Sequence, residues 1–185
     1  MCNNNQLLTP HFALLEFIES TTARKNGIRN QPSPNVVKSL SRLCMHTLEP
    51  LRQALDLPVV ITSGYRCVEL NNLINRNSYR SQHLLGQATD FYVGWNASPK
   101  GCGLSDNCHY TNRFKLLDAD PRQRLVRAFY LIISHKSIDF DQLILYPNFI
   151  HVSYVSRESN RHCVMVADGK GRYQRIPSVN ALSVI

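Results

Sequence analysis

Two short segments constrain this chain more than any others. They are Ser81-Gln82-His83-Leu84-Leu85-Gly86-Gln87-Ala88-Thr89-Asp90 and, about sixty residues later, Phe149-Ile150-His151-Val152-Ser153. Gly86 admits a sharp turn after His83, because glycine takes a positive φ without a steric penalty. Ala88 to Val93 reads as a strand. Asp90 on that strand and His83 in the loop before it then face one point. In the second segment, alternation puts His151 and Ser153 on one face and Ile150, Val152 and Tyr154 on the other. Two imidazoles and a carboxylate are the ligand set of a catalytic zinc, whose fourth position is left to water. His83, Asp90 and His151 are therefore the candidate ligands of one zinc per chain.

The elements around these segments follow from capping and periodicity. Thr9 reads as a helix N-cap with Pro10 at the first helical position. That helix carries Phe12, Leu15, Phe17 and Ile18 and closes near Asn26-Gly27. A second helix is predicted over 35–55, with Pro50 kinking it. Val59 to Thr62 reads as a buried strand and Glu69 to Asn75 as a short helix. Residues 94–119 read as an irregular stretch, and loops near a site often set substrate choice. Pro121 to Ser134 is a helix. Gln142–Tyr146 and Phe149–Val155 are strands joined at Pro147-Asn148. Cys163 to Ala167 and Arg172 to Ile176 form a hairpin, and 177–185 is a tail without pattern. Helices early and antiparallel hairpins late imply α+β, with helices packed on a small, mainly antiparallel sheet.

The 185 residues are expected to make one domain with a core over about 7–176. At 43% hydrophobic and 18% charged, the composition is that of a globular protein. No window is apolar enough for a membrane span. The first residues, Met1-Cys2-Asn3-Asn4-Asn5, show neither a basic start nor an apolar core, so synthesis in the cytoplasm without a signal peptide is expected. The net charge is +8, but the basic residues are scattered and match no nucleic-acid motif. An anionic cell envelope is the expected partner. Of the six cysteines, Cys44 and Cys67 read as thiols in or beside apolar segments. Cys102 and Cys108 read as a small disulfide loop or as two free thiols, the latter favoured in a reducing compartment.

Ser81, His83, Gly86, Ala88 and Asp90 fill every fixed position of the pattern S-x-H-x-x-G-x-A-x-D. With the later His151 they resemble the zinc D-Ala-D-Ala carboxypeptidase family, which shares its fold with the Hedgehog signalling domain. Leu8-Thr9-Pro10-His11-Phe12, Leu48-Glu49-Pro50-Leu51-Arg52, Ile61-Thr62-Ser63-Gly64-Tyr65-Arg66 and Phe140-Asp141-Gln142-Leu143-Ile144 resemble its peptidoglycan-directed phage and bacterial branch. The resemblance runs from about residue 7 to about residue 167. It implies a metallopeptidase of carboxypeptidase or endopeptidase type, acting on the stem or cross-link peptides of the cell wall. The expected lack of a signal peptide fits a route to the wall by phage-type release.

The same resemblance assigns roles. Arg66 matches an arginine that steadies substrate or the developing oxyanion. Ser81 and Gln82 flank the first ligand and are placed to bond ligand or substrate. His11 reads as structural, and His46, His135 and His162 as surface or packing residues. Relatives carry a carboxylate general base three or six residues before the last ligand. Here those positions are Asn148 and Leu145. One murein endopeptidase branch reads Tyr-Pro and then Asn-Phe-Val-His, as Tyr146 to His151 nearly does. Asn148 is thus expected to position water or carbonyl, with Asp141 the nearest candidate for the proton. The other reading is a wall-binding module that keeps the zinc and lacks turnover. A structural virion component is a third.

Overall fold

The computed structural model describes residues 6–76, 78–94 and 120–176. The tail and, but for Gly94, the irregular stretch 94–119 with Cys102 and Cys108 lie outside those residues. In chain order the elements are β1 (Leu7–Thr9), β2 (Phe12–Ala13), α1 (Leu14–Ile18), α2 (Thr21–Lys25), α3 (Pro34–Leu43) and α4 (Glu49–Leu55). Then come β3 (Val59–Ser63), α5 (Val68–Ile74), β4 (Ala88–Val93), α6 (Pro121–Ser134), β5 (Gln142–Leu145), β6 (Ile150–Ser153), β7 (Cys163–Ala167) and β8 (Tyr173–Arg175). The last eight strand and helix assignments lie close to the ranges that periodicity predicts.

Six strands form one sheet in the order β3-β4-β6-β5-β7-β8. Among the described strands only β5 and β7 run parallel, so the sheet is mainly antiparallel and the class is α+β. One face is apolar: Phe91, Leu143, Leu145, Ile150 and Val152 are buried against Phe17, Leu40, Leu51 and Phe129 from the helices. Alternation sends Asp90, His151 and Ile144 to the other face.

Two helices differ from expectation, each for a local reason. No helix begins at Pro10. The His11 N–H and ring Nδ1 instead engage the Glu49 carboxylate at 2.9 and 2.8 Å, which holds the chain extended and lets β1 pair with β2. The helix starts at Leu14, where Glu16 accepts the Ala13 N–H at 2.7 Å. It breaks before Ser20, which caps α2 through a 3.2 Å bond from the Ala23 N–H. The stop at Asn26-Gly27 is as predicted, with Gly27 at φ +65°.

The second helix is continuous from Pro34 to Leu55 but passes through a π-turn over Cys44–Leu48. Within it the Glu49 N–H bonds to the Cys44 carbonyl, five residues back. Pro50 has no N–H to give to the carbonyl four residues before it, that of His46. The Asp139 N–H takes that acceptor at 3.0 Å, and the Thr47 hydroxyl donates to the Asp139 carbonyl. A backbone gap in the helix thereby fixes the approach to β5.

Gly64, just past β3, has no room for a side chain. A Cβ there would lie 2.5 Å from the Phe17 carbonyl oxygen and 2.6 Å from its Cα. Gly64→Ala is expected to destabilise the fold by about 1–3 kcal/mol, the usual cost of overpacking. A urea midpoint measures it, and an unchanged midpoint would mean that α1 gives way freely.

Candidate metal centre

The centre is assembled from three consecutive pieces of chain and one distant strand. A 3₁₀ turn over Gln82–Leu85 carries His83, and Gly86 ends it in the left-handed region at φ +65°. The chain then enters β4, where Asp90 pairs directly with His151 of β6. Paired residues on neighbouring antiparallel strands share a face. His151 Nδ1 donates to Asp90 Oδ1 at 2.8 Å, and His83 Nε2 stands 3.5 Å from the same oxygen. The three candidate ligand atoms all lie within 4.8 Å of one another. Four ligands at zinc bond lengths sit roughly 3.3 Å apart around a tetrahedron, so the spacing suits a metal of that size.

Protonation also suits a cation. Burial pushes the His83 imidazole below its usual pKa and keeps it neutral. Its Nδ1 donates to the Gly64 carbonyl at 2.6 Å, which fixes the tautomer and leaves Nε2 with a lone pair. Burial works against ionisation of Asp90, but the polar contacts that face it, the His151 hydrogen bond first among them, outweigh it. The carboxyl stays well below the usual range. Its second oxygen accepts from Arg66 Nη2 at 3.0 Å. Arg66 in turn is held by Ser63 Oγ, 3.1 Å from Nε and 2.8 Å from Nη2.

This outer shell is rigid because backbone and side chains interlock. The register of β3 on β4 shifts between Ile61 and Ser63, a bulge that Thr62 and Thr89 brace by bonding to the Asp90 and Ser63 carbonyls. The Arg66 N–H donates to the His83 carbonyl at 3.2 Å. Buried Asn30 clamps the same loop: its amide donates to the Ile18 and Tyr65 carbonyls, and its oxygen accepts the Cys67 N–H. Asn30 has no flag in the sequence, since a lone asparagine in a loop resembles any turn residue.

The ligands line a cleft of about 650 Å3. Arg66, Ser81, Gln82, Asp141, Tyr146, Phe149 and Arg161 line it too. Its two ends differ. At one, Tyr146 stacks on Phe149 with ring centroids 4.3 Å apart and meets the Tyr173 hydroxyl at 3.0 Å. At the other, Asp141 accepts from Gln82 Nε2 at 2.9 Å, from Ser153 Oγ at 3.3 Å, and from Arg161. Arg161 binds it bidentately, with Nε 2.8 Å from Oδ1 and Nη2 2.5 Å from Oδ2.

Four expectations about the site change. Asp141 is no ready proton acceptor. Burial alone would raise its pKa, but the Arg161, backbone and Gln82 hydrogen bonds prevail and bring it to about 2. Asn148 is exposed in the β5–β6 turn and does not line the cleft, because the Tyr146 N–H to Phe149 carbonyl bond turns those two residues inward instead. Two of the three Arg66 guanidinium nitrogens are committed to Ser63 and Asp90, which makes it a ligand-orienting residue first. Gln82 bonds to Asp141 rather than to a ligand. His11 is structural as expected, bound to Glu49, and His46 packs against Tyr154 at 4.8 Å. Arg161 went unnoticed in the sequence; only its meeting with Asp141 marks it.

The Asp141 pair ties stability to pH. Its folded pKa lies below the unfolded value, so its contribution is whole above about pH 4. It is lost as pH falls through about 2. Asp141→Asn should flatten the loss of stability across that window. Parallel acid titrations followed by circular dichroism measure this, and identical curves would deny the pair its role.

A family model described as Peptidase M15 matches residues 10–102. The match includes Arg66, His83 and Asp90 and stops short of His151, which the fold itself brings to the site. No curated protein matches the chain. Peptidases of this family are zinc-dependent metallopeptidases. With half of its length matched and the metal-ligand cluster assembled in a cleft, the chain belongs to the peptidase M15 family.

Proposed function

We propose that this protein is a zinc peptidase that hydrolyses peptide bonds in the stem or cross-link peptides of peptidoglycan. The observation that carries the reading is the His83–Asp90–His151 cluster at the floor of an open cleft. The cleft walls carry Arg66, Arg80 and Arg161 against two carboxylates, Asp90 and Asp141, both engaged. Such a surface favours a peptide rich in carboxylates, and wall peptides are of that kind. The +8 net charge favours approach to an anionic envelope. On this reading the protein acts at the cell wall.

His83 Nε2, Asp90 Oδ1 and His151 Nδ1 would hold the zinc. A zinc held there would supply Lewis-acid polarisation of a carbonyl and a water made acidic enough to attack near neutral pH. The chain's own residues prepare the site for it. The Gly64 carbonyl holds the His83 ring in the ligating tautomer. Arg66 fixes the Asp90 carboxylate so that one oxygen points at the histidines. His151 would offer Nδ1 to a metal with its ring proton on Nε2, in place of the hydrogen bond it now gives to Asp90. Phe149 and Tyr146 close one end of the cleft, and Gln82 keeps the other end polar.

One observation favours a second reading, a zinc-containing wall-binding module. Among the described residues the cleft has no free carboxylate to take a proton, since Asp141 is bound to Arg161. Release of soluble muropeptides from purified sacculi separates the two. Chelator-sensitive release by zinc-loaded protein is expected, and its absence across several wall chemotypes would leave the binding module.

Metal content gives two further outcomes. His83→Ala and His151→Ala should each lose the bound zinc on dialysis, because two protein ligands hold it weakly. Full zinc in both variants by elemental analysis would sink the ligand assignment. Arg66→Lys should keep the fold and weaken zinc affinity by about 10- to 100-fold, the usual effect of removing an outer-shell partner. Competition against a chromogenic chelator measures it, with wild-type affinity in the variant as the contrary result.

A further inference from the structure

Arg161 stands out because its cost and its exposure do not match. The carboxylate that holds it, Asp141, is 1% exposed, while the Arg161 side chain is 58% exposed. A buried charge is expensive unless it is fully satisfied. Asp141 is satisfied by the Arg161 backbone N–H, its Nε and Nη2, Gln82 and Ser153. All of that machinery ends in one guanidinium presented to the cleft. The fork is bound along its Nε edge, and Nη2 also lies 3.4 Å from Gln82 Oε1. None of the described hydrogen bonds uses Nη1.

The sheet places this guanidinium close to the reaction without touching it. Asp90, His151 and Ile144 form one cross-strand row on the cleft face. Ser153 and Gln142 form the next row, and Ser153 is the Asp141 partner. Same-face rows on a strand are about 7 Å apart, twice the rise per residue. A substituent that reaches Arg161 therefore belongs to a substrate residue neighbouring the scissile bond. Arg66 is held in the same way, through Nε and Nη2, but its side chain is 13% exposed against 58% for Arg161, so it offers a substrate far less of its guanidinium.

We propose that Arg161, locked by Asp141 and Gln82, is the specificity-determining residue of the cleft. Its ligand is a carboxylate on the substrate residue flanking the scissile bond. A planar fork held on one edge can offer its other edge to a second carboxylate, a geometry Lys does not reproduce. The inference rests on the peptidase reading for its substrate, but the recognition step holds equally for a protein that only binds. The carboxylate is either a side-branch group of an internal stem residue or a chain terminus.

The test uses zinc-loaded full-length protein and three synthetic stem peptides: the free acid, one amidated at the side-branch carboxyl, and one amidated at the C-terminus. Binding is read by calorimetry with chelated protein, so that nothing is cleaved, and turnover by chromatography with zinc-loaded protein. Wild type should bind the free acid about ten- to a hundredfold more tightly than one of the two amides, the measure of a charge-assisted hydrogen bond. Whichever amide loses affinity names the source. Arg161→Lys keeps a cation beside Asp141, so it should fold. It should abolish most of that ratio through KM rather than kcat, with zinc content unchanged. Asp141→Asn should reduce the ratio by freeing the guanidinium. A free-acid preference that survives Arg161→Lys overturns the assignment, as does equal binding of all three peptides by wild type. Selective binding by wild type with no turnover sinks the peptidase reading alone.

Discussion

The pairing of Asp90 with His151 across β4 and β6 is the contact on which the rest depends. A strand shows alternate residues to alternate faces, so a slip of one residue would send one ligand into the core and the other away from it. The register is held from the apolar side, where Phe91, Ile150, Val152 and Leu143 are buried beneath the helices. Core packing thus sets the position of a candidate metal ligand on the opposite face. The same register carries Ser153 and Gln142 to the next row, and with them the Asp141 clasp. One hydrophobic pattern therefore positions both the candidate metal and the candidate reader of substrate charge.

Much of this is legible in the sequence because it is local. Gly86 after His83, the alternation through Phe149 to Ser153, and the helix from Pro121 to Ser134 are written within a few residues each. The parts that are not legible depend on partners far away in the chain. His11 and Glu49 are 38 residues apart, and their contact turns a plausible helix start into a strand. Arg161 and Asp141 are 20 apart across a hairpin-like return, and no spacing rule links them. Asn148 fits a family position in the sequence, yet the turn geometry sends it outward while Tyr146 and Phe149 go in. Chemistry read from residue types picked out three side chains that the fold brings together, and said less about which carboxylates are already engaged. Ligands must converge, whereas a carboxylate is defined by what already occupies its oxygens.

The outer shell shows how few contacts are needed to make such a site rigid. Gly64 offers its carbonyl to His83 because α1 presses against it, and Asn30 ties the following loop to α1. The fold around α1 and the orientation of a ligand are then a single mechanical unit. Damage to either is felt by the other.

Pro50 illustrates how a defect in one element becomes an address for another. A helix normally consumes its own carbonyls and offers none of them sideways. By lacking an N–H, this proline leaves the His46 oxygen unclaimed in mid-helix, and the π-turn gives it room. The chain entering β5 docks there through Asp139, two residues before Asp141. An ordinary residue at position 50 would make a better helix and a competing donor. The strand would then lose its mooring, and the cost would surface at the far end of the cleft rather than in the helix that was repaired.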